Sequence, residues 1–284
     1  MPAGSVEGVD HLFVAAAVSV DDVTHAYIVG FGPDVHRVIE MRWSGDGSGV
    51  EQNDPGVDDL GLDLADPGPM PMSLSREPGG NWVMLGFGVP STVGATPVFW
   101  RAVSDSPSGP WNEAAVVFEV GGPGAWDGAW VDFPTGFTIG EERFMLYEGA
   151  SDADRNASHL GVAAGSNGIA WAHPDNPVIS PEDCGDVTSI RAPRLLSTGA
   201  GWLLAFVAIT GQEEEPPLQL GVVEDPLQPS CDDVETMLTT DDLSSSGGIH
   251  SHALIKTAAG PAFLVESLTP DASASALWLI PLEG

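Results

Sequence analysis

Lysine is almost missing from this 284-residue chain. Lys256 is the only one, and lysine plus arginine number 9 against 41 aspartates and glutamates, for a formal net charge of −32. Nucleic acid and anionic membranes are poor partners for such a surface, because both are bound by neutralising phosphates with cations, and no nucleic-acid partner is expected. The acids are dispersed, and Glu213-Glu214-Glu215 is the longest run, so they do not form an acidic tail. Dispersed acid with so little lysine suits a protein working in high salt, where screening suppresses self-repulsion. A merely acidic secreted protein is the plainer alternative.

Long apolar runs are also lacking. None approaches the roughly 20 residues that a membrane-spanning helix needs, so no membrane span is expected. No basic, apolar, small-residue signal segment opens the chain. Met1-Pro2-Ala3-Gly4 fits a native start or an expression start that replaced a removed signal, and the expected location is extracellular or periplasmic. Cysteine is scarce: Cys184 and Cys231 allow one disulfide or two buried thiols, and do not make a zinc site. There is no Walker loop, no strand–GxGxxG–helix unit and no GxSxG elbow, so no nucleotide cofactor is expected. Oxygen ligands of an acidic channel would suit a calcium ion, but no calcium-loop spacing is present, and no metal ligands are assigned.

Apolar residues at helical spacing are absent too. Glycine (35) and proline (24) punctuate short apolar runs such as Ala26–Phe31, Trp82–Phe87, Arg143–Tyr147, Trp202–Val207 and Ala262–Val265, which reads as all-β. The runs repeat as a unit. Asp132-Phe133-Pro134 is followed by FMLYEG, with thirteen residues from Pro134 to Tyr147. Arg191-Ala192-Pro193 and LLAFVA repeat that spacing, as do His250-Ser251-His252 and AFLVES. Asp132, Arg191 and His250 are each 59 residues apart. Looser copies lie upstream, at Pro69-Met70-Pro71 with NWVMLGF and at Asp10-His11 with AYIVGF. Five such units predict a single five-bladed β-propeller across 1–284, with blades at roughly 8–50, 66–112, 127–175, 186–231 and 248–284. In that fold the start of each innermost strand rings one mouth of a central channel, so ionisable residues there converge on a concavity.

The pattern DxP…YxLYEG…LGVAxSxDGxxW…NPV resembles the five-bladed propeller glycoside hydrolases of families 43, 32, 68, 117 and 130. Here it is carried by Asp132-Phe133-Pro134, Phe144–Gly149, His159–Trp171 and Asn176-Pro177-Val178. The resemblance implies a carbohydrate ligand and O-glycosyl hydrolysis by paired carboxylates, a general acid and a base or nucleophile, whose separation sets the stereochemistry. Family 43 carries its general acid two residues before the proline of a later blade; in this chain that place is Arg191.

The candidates follow. Asp132 is a catalytic base or a strand cap, and Asp66, in LADPGP, is a second acid or an ordinary turn opener. Glu148 is a candidate acid, although Glu266 occupies the equivalent place and points to a repeated structural role. His250 is a candidate replacement acid, and His252, on the same strand face two residues on, is a candidate substrate-binding residue; one of the two faces the funnel as acid or metal ligand, or they are satisfied structural histidines. Asp10, His11 and Arg191 are expected to bind substrate at the mouth, and Trp126 and Trp130 to stack on sugar rings or to pack between blades. A non-catalytic propeller that binds carbohydrate or protein is the alternative. A monomer is expected.

Overall fold

The structure, a computed structural model, describes residues 9, 11–32, 36–44, 49–166, 168–199, 201–211, 217–239, 249–268 and 275–282. It is an all-β, five-bladed β-propeller. Blade one is β1 (His11–Val20), β2 (Val23–Phe31), β3 (His36–Ser44) and β4 (Glu51–Asn53). Blade two is β5 (Met70–Arg76), β6 (Trp82–Gly88), β7 (Val98–Ser104) and β8 (Asn112–Glu119). Blade three is β9 (Trp130–Ile139), β10 (Glu142–Ala150), β11 (Ser158–Gly165) and β12 (Trp171–Ala172). Blade four is β13 (Ser189–Ser197), β14 (Trp202–Ile209), β15 (Leu218–Val223) and β16 (Val234–Leu238). Blade five is β17 (Ile249–Thr257), β18 (Gly260–Leu268) and β19 (Ser275–Pro281). Each blade is an antiparallel meander.

Second strands such as β6 are buried along their whole length, because neighbouring blades cover both faces. That is why they read as continuous apolar runs rather than as alternation. The core is therefore the set of surfaces between blades. Val14 and Ile28 of blade one meet Ala253 and Leu264 of blade five, and Leu146 and Leu160 of blade three meet Leu204 and Phe206 of blade four. Tight hairpins set the register. Asp21 and Asp22 both have positive φ (48° and 63°) between Val20 and Val23, the backbone of a two-residue turn matched to strand twist.

All five inner strands carry an irregularity at the same level, after Val14, Pro71, Asp132, Arg191 and Ile249. In β9 and β13 the extra residue is Phe133 or Ala192, held at φ 51° and 52° before a proline. A bulge bends the strand and re-aims the flanking side chains. Counting from it, Phe13, Met70, Asp132, Arg191 and His250 occupy matching positions, opposite Val29, Phe87, Glu148, Val207 and the Glu266 level. The matching residue in blade one is thus Phe13, whereas the sequence comparison had pointed to Asp10 or His11.

Arg194, just past the bulge of β13, fills the channel. Its Nε donates to the His252 carbonyl (2.9 Å), Nη1 to Met72 (3.3 Å) and Nη2 to Ala15 (3.2 Å), while the guanidinium lies 5.2 Å from the Phe133 ring centre. One side chain thereby touches the inner strands of all four other blades. Burial lowers its pKa to about 10, with the Asp132 charge opposing, so it stays protonated at neutral pH. Beyond Arg194 a cavity of about 120 Å³ opens on the far side, lined by Ser19, Ser73, Thr135, Leu195 and Lys256.

Two short 3₁₀ turns, Pro181–Cys184 and Cys231–Asp233, flank blade four and are joined by a Cys184–Cys231 disulfide with Cα atoms 5.3 Å apart.

Candidate functional site at the channel mouth

The richest polar cluster at the mouth lies where blade three meets blade four. Asp132 on β9 and Glu148 on β10 are cross-strand partners, so both carboxyls leave the sheet on one side at a typical Cβ separation of about 5 Å. Arg155, in the loop from β10 to β11, reaches between them. Its Nη1 is 3.2 Å from Asp132 Oδ2 and 3.5 Å from Glu148 Oε1, and its guanidinium lies 5.1 Å from the Trp130 ring centre. Arg155 has φ 55°, a left-handed conformation that a long side chain adopts only under constraint.

Glu148 is fully buried and well satisfied. It accepts from Ser158 Oγ (2.9 Å) and from the Ala192 amide (3.1 Å), which the β13 bulge turns toward it. Asp132 is nearly as buried and accepts one amide, that of Phe133, at 2.8 Å. Desolvation first, and the Glu148 charge second, push the Asp132 pKa up to about 7; Arg155, the Phe133 amide and the Trp130 indole pull against them. Glu148 is also raised by desolvation, with Arg155, the Ala192 amide and Ser158 opposing. Because Glu148 has more donors to its charged form, Asp132 is the member that holds a proton near neutrality.

Arg191 is half-buried beside this pair. Its Nη2 donates to the Arg155 carbonyl (2.7 Å) and its Nε to Ser189 Oγ (3.3 Å). Asp132, Glu148, Arg191 and Trp130 of the sequence candidates are therefore brought together. His250 lies on β17 at the matching level, but its side chain is outside the described residues, as is Asp10. His11 begins β1, half-exposed and paired with Phe31. Asp66 stands on an exposed turn before β5, in electrostatic reach of His36.

Trp126 packs between strands. A Cβ on Gly149 or Gly161 would come within 2.5 or 2.4 Å of its ring, so these glycines make the space it occupies. His252 is buried, and its pKa is pushed down to about 3 by burial and by the Arg194 charge, against a hydrogen bond with the Ala192 backbone. It is neutral at any ordinary pH. Glu266 is buried in the equivalent place to Glu148 and accepts from Ser251 Oγ (3.1 Å), which in turn accepts from the Val14 amide of the next blade (2.7 Å). Among the described residues, no group of three or more His, Cys, Asp or Glu side chains is gathered as for a metal ion. The residue that sequence reading missed is Arg155, whose only signal is its rarity: one of nine cations, placed in a loop seven residues after Glu148.

The fold is that of the five-bladed propeller glycoside hydrolases. A thermostable family-43 glycoside hydrolase superposes with a TM-score of 0.70 at 13% identity, covering 100% of this chain and 94% of the other. An α-L-arabinofuranosidase from Podospora anserina, in complex with cellotriose, gives 0.71 at 11% identity, covering 99% and 94%. An endo-arabinase from Bacteroides thetaiotaomicron gives 0.68 at 13% identity, covering 100% and 97%. No protein-family model matches the sequence, and no curated protein matches it.

Proposed function

We propose that this propeller takes a poly- or oligosaccharide at the Asp132 mouth and hydrolyses an O-glycosyl bond there, as a salt-adapted, monomeric protein outside the cytoplasm. One observation carries the reading: a buried pair of cross-strand carboxyls, Asp132 and Glu148, shares a single arginine at the rim of the channel. A carboxyl that keeps its proton near neutrality suits a general acid, which must protonate the leaving oxygen. Asp132 has that character because its burial, and second the neighbouring Glu148 carboxyl, raise its pKa. Glu148 has no exposed surface, whereas Asp132 keeps 6%, so Glu148 acts through Asp132 as a positioning residue. The aromatic faces of Trp130 and Phe133, both half-buried, suit the apolar face of a pyranose or furanose ring. His250, at the matching rim position, is the proposed partner for the second chemical role.

A second reading, a non-catalytic carbohydrate- or protein-binding propeller, is favoured by one observation: Arg191 stands where the resemblance to family 43 implies a glutamate acid. A glycan panel assayed for both binding and released sugar separates the two. Release that disappears in Asp132→Asn supports hydrolysis, while binding without release of any sugar supports the second reading.

A further inference from the structure

The mouth spends arginine in a chain that has very little of it. Arg155, Arg191 and the channel-filling Arg194 make three of the nine cations in a chain of net charge −32. Arg155 is used by the two carboxylates and by Trp130. Arg191 is not used in this way. Among the described residues it has no carboxylate within ion-pair distance, and its hydrogen bonds go to a carbonyl and a hydroxyl through Nη2 and Nε only. Among the described residues its Nη1 meets no protein partner, on a side chain that is half-buried.

The group is also held against an unfavourable field. Burial and the nearby charge of Arg155 both disfavour the Arg191 cation, while Glu148, Asp132 and Asp152 only partly compensate. A guanidinium anchored on two sides, open on the third and set beside a second guanidinium is pre-organised for an anion. The bulge at Ala192 (φ 52°) fixes the direction in which Arg191 leaves the strand, and on the adjoining blade Trp130 and Phe133 hold the other two guanidiniums, Arg155 and Arg194, against their rings. The net charge of −32 disfavours anions over most of the surface, and these arginines offset it locally.

We propose that the sugar bound at this mouth carries a carboxylate, as a uronic acid does, and that Arg191 selects for it through its open guanidinium edge. This rests on the carbohydrate reading above and specifies its ligand. A planar carboxylate matches the guanidinium fork, whereas a neutral hydroxymethyl group at the same ring position leaves the cation unpaired.

The test is binding by calorimetry of uronate oligosaccharides (galacturonate, glucuronate, mannuronate and guluronate types) against their carboxyl-reduced counterparts, at matched ionic strength. At least one acid series is expected to bind about tenfold or more tightly than its reduced form, the scale of one charge-assisted bidentate contact. Arg191→Met should abolish that preference, and Arg191→Lys should keep part of it. Melting temperature checks that both variants fold; should Arg191→Met fail to fold, wild-type discrimination between acid and reduced forms still decides. Equal or better binding of the reduced sugars would overturn the proposal and leave the carbohydrate reading intact. Preference for sulfated sugars over uronates would overturn the carboxylate assignment. Binding of no glycan, acidic or neutral, would remove both.

Discussion

Asp132 and Glu148 face each other across the β9–β10 ladder and share the Nη1 of Arg155. One guanidinium cannot neutralise two desolvated carboxylates, so the pair retains a proton to about neutral pH. The sign of the stability effect follows. The folded pKa of Asp132, about 7, lies above the unfolded value of about 3.9, so the native state binds more protons in between. Stability from this site is therefore complete below about pH 4 and is lost as pH rises through 7. Thermal melts in molar salt, which suppresses the general acid–acid repulsion, should show wild type losing stability from pH 5 to 8 and Asp132→Asn losing less. Parallel curves for the two would sink the assignment.

The same substitution separates chemistry from architecture. If Asp132 protonates the leaving group, Asp132→Asn should lower turnover by at least about a hundredfold, with the melting temperature at pH 8 unchanged or raised, because a costly buried charge is gone. If Asp132 only caps the strand through the Phe133 amide, stability should drop by roughly 1 kcal/mol and turnover per folded molecule should persist.

Removing the cation should do the opposite. Arg155→Met leaves two buried acids without their shared partner and should destabilise the fold by about 3 kcal/mol or more at pH 8. Chemical denaturation measures this directly. Adding Asp132→Asn and Glu148→Gln should recover much of the loss, since paired removal of buried charges is far milder than removal of one sign. Additive losses in the triple variant would contradict the coupling.

Cys184 and Cys231 close a loop with a sequence separation of 47 between the two 3₁₀ turns beside blade four. Unfolded, unreduced protein should contain no thiol that reacts with Ellman's reagent. Replacing both cysteines by serine should cost about 4 kcal/mol, the chain-entropy figure for a loop of this length. Two reactive thiols would reject the bridge.

With 41 acids and 9 bases, the folded chain should gain stability with salt. The melting temperature should climb continuously from dilute to molar sodium chloride as the screening length contracts from tens of ångströms to about 3 Å. A flat response would leave the acidity without a stabilising logic.

The repeat was legible because covalent spacing does not depend on contacts. The interval of 59 residues between Asp132, Arg191 and His250 is visible before any folding is considered, and the propeller follows from it. Second and third strands were legible because burial on two faces demands unbroken apolar runs. The outermost strands β4, β8, β12 and β16 were not. Glu51–Asn53 is wholly exposed and β8 mostly so, leaving no alternation to read. In blade one the expected rim residues fell two or three positions early, and Phe13 stands at the rim. Glu148 and Glu266 were correctly seen as equivalent, and both are buried acceptors of a serine hydroxyl. What divides them is Arg155, which enters the site through a left-handed turn that no spacing rule foretells.

Arg194 carries a further consequence. A ring of blades is a torus, and a torus invites threading, yet this one is stoppered midway by a side chain tethered to three carbonyls. The ring is thus topologically a cup. Whatever enters on the Asp132 side leaves on the same side, and nothing is drawn along the axis past the guanidinium.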